Sequence, residues 1–143
     1  SRAVAVGEEA ASRIGADKCL RQLFNLPGNF TASKLRWVKE NQPDLYAKID
    51  KIMLPGDYIA MLMTGRAATT ASGLSEGIMW DFQENSLAGF LLEYYGIHKH
   101  LVPDIVPSGD IEMMVGRIDF STQTGGDAAA ARVAEDRGGL QAA

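Results

Sequence analysis

The sequence predicts a single α/β domain, mostly helical with a few short strands. Three observations lead there. A chain of 143 residues has room for one hydrophobic core. Apolar residues recur at helical spacing, most clearly Leu87, Phe90, Leu91 and Tyr94. One short apolar run, at residues 51–54, is cut off by Pro55, as a buried strand would be. Composition agrees, with 46% hydrophobic and 22% charged residues.

The elements follow in order. Residues 2–14 are rich in Ala and Glu without proline, which suits a helix that Gly15 ends. Asp17 is placed to cap a short helix over 18–24, with Cys19, Leu20, Leu23 and Phe24 on its inner side. Residues 25–29 read as a loop, because Pro27 fixes φ and Gly28 supplies an unusual one. Thr31 or Ser33 then opens a helix to about Glu40, with Leu35 and Val38 inward and Lys34, Arg36 and Lys39 mostly outward. Pro43 suits the first turn of a helix to Asp50 that buries Leu45 and Ile49.

Residues 51–55 are the predicted buried strand. Asp57 is placed to cap a helix over 58–63, which Thr64 and Gly65 end. Residues 66–80 are rich in Thr, Ser and Gly and read as loop with extended pieces. Ser86 would cap the amphipathic helix of Leu87, Phe90, Leu91 and Tyr94, with Gly96 past its end. Pro103 and Pro107 predict an irregular segment. Residues 1–116 are read as one domain, and 117–143 as an Ala- and Gly-rich, poorly ordered tail, since it offers little apolar surface to bury.

Charge and composition exclude several function classes. A net charge of −4 with scattered Lys and Arg argues against nucleic acid or an anionic membrane as partner. No stretch approaches the roughly 20 apolar residues of a membrane helix, and no signal-peptide pattern is seen, so the cytoplasm is expected. The single Cys19 cannot form an internal disulfide and reads as a small core hydrophobe. The chain starts at Ser1 and is already helix-like from Arg2, so it reads as the interior of a longer polypeptide.

Two strings carry the chemistry: Asn-Phe-Thr-Ala-Ser-Lys-Leu-Arg-Trp-Val-Lys-Glu-Asn at 29–41, and Leu54-Pro-Gly-Asp-Tyr-Ile closing on Met63-Thr-Gly. Alone, Lys34 and Trp37 are i, i+3 helix neighbours, a Trp on the core with the Lys stem across it. Together the strings resemble the FGGY carbohydrate kinases. Thr31, Lys34, Leu35, Trp37, Val38, Glu40 and Asn41 fill the places of that family's first signature, while Asn29 departs from its Gly, Ser or aromatic preference. The resemblance continues through the Thr/Ser-rich stretch ending at Trp80-Asp81-Phe82 and through residues 91–107, and is lost after about Met113. Within the family, the string resembles the subgroup that acts on D-xylulose.

This resemblance implies a ribonuclease H-like (actin-like ATPase) N-terminal kinase domain, incomplete here. It also implies a parent enzyme that uses ATP and Mg²⁺ to phosphorylate a sugar, inactive as this piece alone. The implied partners are the sugar and the rest of the kinase polypeptide, with a homodimer left open. Asn29 is the one substrate-binding candidate: an amide can donate to and accept from a sugar hydroxyl. The bland alternative is a loop residue that satisfies nearby backbone. No catalytic, cofactor or metal residue is assigned. Asp127 in Gly-Gly-Asp-Ala resembles the family's catalytic Gly-Asp-Asn turn, but Ala128 replaces the Asn or Gln, and the helix and strand expected before it do not fit. Thr70 stands where many members have Asp. His98 and His100 read as a solvated turn, Asp57 as a helix cap, and Met61, Met63, Met113 and Met114 as core filling. Rival readings are another family member, acting on glycerol, ribulose or gluconate, and a stand-alone helical interaction module.

Overall fold

The computed structural model describes residues 2–108. Residues 113–114, 117–143 and Asp127 therefore lie outside the described part. Four helices lead: α1 (Val4–Ile14), α2 (Ala16–Leu23), α3 (Thr31–Asn41) and the short α4 (Pro43–Tyr46). They are followed by α5 (Pro55–Thr64), β1 (Ala68–Thr70), α6 (Ala71–Glu76), β2 (Trp80–Asp81), β3 (Ser86–Leu87), α7 (Gly89–Tyr95), a 3-10 turn (Lys99–Leu101) and β4 (Asp104–Val106). The expected balance of many helices and few short strands is what the described residues form.

Glycines stop helices where the sequence places them. Gly15 ends α1 at φ 102°, Gly65 ends α5 at φ 72° and Gly96 ends α7 at φ 60°, conformations that cost a side chain energy. The core gathers Ala10 from α1, Cys19 and Leu23 from α2, Ala32 and Leu35 from α3, and Leu91, Leu92 and Tyr95 from α7. Leu74, Ile78, Met79 and Trp80 close it from the α6–β2 side, and Leu101 and Val102 from the end.

Several local expectations are corrected, each for a physical reason. In α2 only Cys19 and Leu23, an i, i+4 pair, are buried; Leu20 is turned outward. Phe24 leaves the helix in a left-handed conformation and is 66% exposed, stacking on Phe82 with ring centroids 4.4 Å apart. Asp17 sits in the first turn of α2 rather than at its cap, where its charge still suits the helix dipole. The helix after Pro43 stops at Tyr46, leaving Leu45 exposed and Ile49 packed on the core.

Residues 51–54 form no strand. Ile52 donates one backbone bond to Leu101 O at 2.8 Å and packs on the core. The strands form elsewhere. β1 and β4 pair in parallel, Ala68 opposite Asp104, Thr69 opposite Ile105 and Thr70 opposite Val106, so the segment between Pro103 and Pro107 is partly regular. The Ser/Thr-rich stretch holds α6 as well as β1, because the Thr70 hydroxyl caps it by accepting from Gly73 N at 3.1 Å.

Ser86 is not a helix cap. It pairs with Asp81 in the antiparallel hairpin β2–β3, and the Ala88 amide extends that hairpin to Met79 O at 2.8 Å. The helix therefore begins at Gly89, and its inward stripe is Ala88, Leu91, Leu92 and Tyr95, one residue out of phase with the expected set. Tyr94 faces outward. On α5, Tyr58, Ile59, Leu62 and Met63 are exposed, so Met63 is not core filling.

Candidate functional site

Asn29 stands exposed in the loop that joins α2 to α3, and three neighbours fix that loop. From α1, Gly7 lies so close to Gly28 that a β-carbon on Gly7 would come within 2.1 Å of the Gly28 carbonyl oxygen. Gly28 itself takes φ 33°. From within the loop, Phe30 N donates to Pro27 O at 3.3 Å. From α3, the Ser33 hydroxyl donates to the same carbonyl at 3.0 Å. Its one proton used there, the Ser33 oxygen is left to accept from the Tyr95 phenol on α7 at 2.8 Å. Ser33 and Tyr95 are both 0% exposed.

Helix α3 is anchored at both ends. Its Ala32 amide, one of the unpaired donors of a first helical turn, bonds Gly77 O at 3.1 Å. Towards its other end, Arg36 Nη1 donates to Tyr95 O at 2.9 Å and Lys39 Nζ to Gly96 O, two carbonyls at the negative end of α7. Arg36 also pairs with Glu40 at 2.6 Å. The half-buried Trp37 is covered by the Arg2 guanidinium, 5.2 Å from the ring centroid, while Lys34 is exposed. The helix that carries the first signature is thus held at both ends behind Asn29, chiefly by residues lying between the signature positions.

The second string has a structural role too. Asp57 lies in the first turn of α5 and accepts from the Thr69 hydroxyl at 2.8 Å, so it ties α5 to β1 instead of capping its own helix. Thr70 provides the cap of α6, a task an Asp at that place would perform equally well. His98 and His100 stack at 5.6 Å on the surface. No three His, Cys, Asp or Glu side chains among the described residues approach as a metal site.

Sequence reasoning missed Asp81 as an anchor. It is 3% exposed and accepts from Gln83 N at 2.9 Å, Glu84 N at 3.1 Å and Gln22 Nε2 at 3.0 Å. An Asp two residues ahead of a polar Gln-Glu-Asn-Ser turn was the available signal. Ser33 and Tyr95 were missed as well; a Ser inside a helical run beside Ala32 and Leu35 was the hint that a hydroxyl faces the interior.

Burial pushes both the Tyr95 phenol and the Cys19 thiol above their ordinary values of 10.0 and 9.0. The raised thiol fits a structural cysteine rather than a nucleophile. In the unfolded chain both protons leave at lower pH, so unfolding is favoured where the folded form still holds them. Stability is expected to be level up to about pH 8 and to fall as pH rises past the two ordinary values. Urea midpoints from neutral to strongly alkaline pH check this, with Tyr95→Phe lessening the upper part, to which Tyr46, also pushed up by burial, contributes the rest; a flat profile would contradict it.

Comparison with known proteins places this geometry in a class. The solved xylulose kinase from Rhodospirillum rubrum is similar in fold, with a TM-score of 0.67 at 24% identity, over 75% of this chain and 22% of that one. The described residues thus have the α/β fold of part of an actin-like ATPase domain. The chain belongs to the FGGY family of carbohydrate kinases: the model of the family's N-terminal domain matches residues 13–128. It is 33% identical over 103 residues to the xylulose kinase of Staphylococcus xylosus, covering 71% of this chain and 21% of that enzyme. It is 30% identical over 101 residues to that of Escherichia coli (strain K12), covering 70% and 20%. The chain spans about a fifth of the length of these relatives. No helix among the described residues is long and apolar enough to cross a membrane.

Proposed function

We propose that this chain forms the sugar-side part of the N-terminal domain of an ATP-dependent ketose kinase. In that enzyme the terminal hydroxyl of D-xylulose attacks the γ-phosphorus of ATP and ADP leaves. Asn29 is the residue proposed to meet the sugar, its amide donating to one hydroxyl and accepting from the next. One observation supports the assignment to this site: Asn29 is displayed by a loop clamped from α1 and α3, directly ahead of the family's signature helix. Positioning of this kind is what phosphoryl transfer demands of the protein. Mg²⁺ would neutralise the phosphates, and the described residues offer no cluster to hold it. Cytoplasmic residence belongs to the same reading.

Two measurements test it. The 143-residue chain alone is expected to transfer no phosphate from ATP to D-xylulose, because the reaction needs two domains closed over both substrates; measurable transfer would refute the dependence on further domains. A chimera carrying residues 2–108 in the matching segment of the Escherichia coli enzyme is expected to phosphorylate D-xylulose. Asn29→Ala in that chimera should raise KM for the sugar about tenfold, as loss of a hydrogen bond to substrate does. A folded chimera that prefers glycerol, or one indifferent to Asn29→Ala, would overturn the substrate assignment.

A further inference from the structure

We infer that Ser33 is a positioning residue for the Asn29 loop: its buried hydroxyl ties the Pro27 carbonyl to α3 and so sets where Asn29 stands. This rests on the reading of Asn29 as a sugar contact. The relay is continuous in space, running from the Tyr95 phenol to Ser33 Oγ at 2.8 Å and from Ser33 Oγ to Pro27 O at 3.0 Å. Both side chains are fully buried, so water does not compete for these bonds. The Pro27 carbonyl also accepts from Phe30 N, which closes the turn around Gly28 and Asn29. Two of the three constraints on the loop thus converge on one oxygen, and Ser33 supplies the one that comes from outside the turn. Tyr95 is itself held, since its own carbonyl takes the Arg36 guanidinium. The asymmetry of the relay is the distinctive feature. Removing the phenol leaves the Ser33–Pro27 bond in place, whereas removing the hydroxyl frees the loop and orphans the phenol.

The test uses the chimera carrying residues 2–108 in the Escherichia coli enzyme, read by amide hydrogen exchange at Phe30, by thermal melting and by KM for D-xylulose. Tyr95→Phe is expected to leave Phe30 exchange within about twofold of the parent. Ser33→Ala should speed that exchange about tenfold, the loss of one buried hydrogen bond. The double variant Ser33→Ala/Tyr95→Phe removes both polar groups, so its melting temperature should recover towards the parent while Phe30 exchange stays fast. Unchanged Phe30 exchange in a folded double variant would overturn the positioning role. Exchange recovering together with the melting temperature would overturn it too, since the effect would then be one of stability alone. The sugar KM separates the two ideas. If Phe30 exchange responds as expected but Asn29→Ala leaves the KM of the chimera for D-xylulose unchanged, the positioning role of Ser33 stands and the sugar contact fails.

Discussion

Gly7→Ala is expected to destabilise the fold by about 3 kcal/mol, although the same change in an exposed helix would stabilise it by about 1 kcal/mol. The opposite sign comes from geometry. A β-carbon at Gly7 would lie 2.1 Å from Gly28 O, 2.5 Å from Gly28 N and 2.6 Å from Gly28 C. All three atoms are backbone, so no rotamer change relieves the clash; α1 or the loop must shift. The loop cannot shift freely, because Ser33 and Phe30 both hold the Pro27 carbonyl. Urea unfolding monitored by circular dichroism measures the loss, and Phe30 amide exchange should quicken in the same variant. A Gly7→Ala chain as stable as the parent would mean that α1 does not pack on this loop.

Asp81→Ala should cost a similar amount, about 3 kcal/mol, for a different reason. It strips the acceptor, itself 3% exposed, from two backbone amides of the turn and from the half-buried Gln22 side chain. The loss would be felt in the β2–β3 hairpin and, through Gln22, in α2. Asp81→Asn is the informative control. Its remaining oxygen can still take the Gln83 and Glu84 amides, while its new NH₂ would face the Gln22 NH₂. Gln22 Oε1 is buried and has no hydrogen-bond partner, so a flip of the Gln22 amide restores a good pair. Asp81→Asn is therefore expected to cost less than about half as much as Asp81→Ala. Equal losses in the two variants would show that the carboxylate charge, not its acceptor geometry, is what matters there.

The fold was legible in sequence wherever one local rule acted alone. Gly15, Gly65 and Gly96 stop helices because only glycine tolerates left-handed backbone cheaply, a property of one residue. The loop at 25–29 followed from Pro27 and Gly28 in the same way. Phase and partnership were less legible. The stripe on α7 is shifted by one residue because Ser86 and Leu87 are drawn into a hairpin with Trp80 and Asp81. The apolar run at residues 51–54 stays irregular, with a single backbone bond to Leu101, while two Thr of an unpromising stretch join β1 opposite β4.

The candidate site divides along the same line. Asn29, its loop and the signature helix behind it could be found by sequence, because the chain supplies them consecutively and their chemistry is local. The clamp around them could not, since Gly7, Ser33 and Tyr95 come from three helices far apart in the chain. Only folding decides that a glycine on α1 meets backbone and that a phenol on α7 meets a serine on α3, for packing and hydrogen bonding depend on distance in space, to which spacing along the chain is blind.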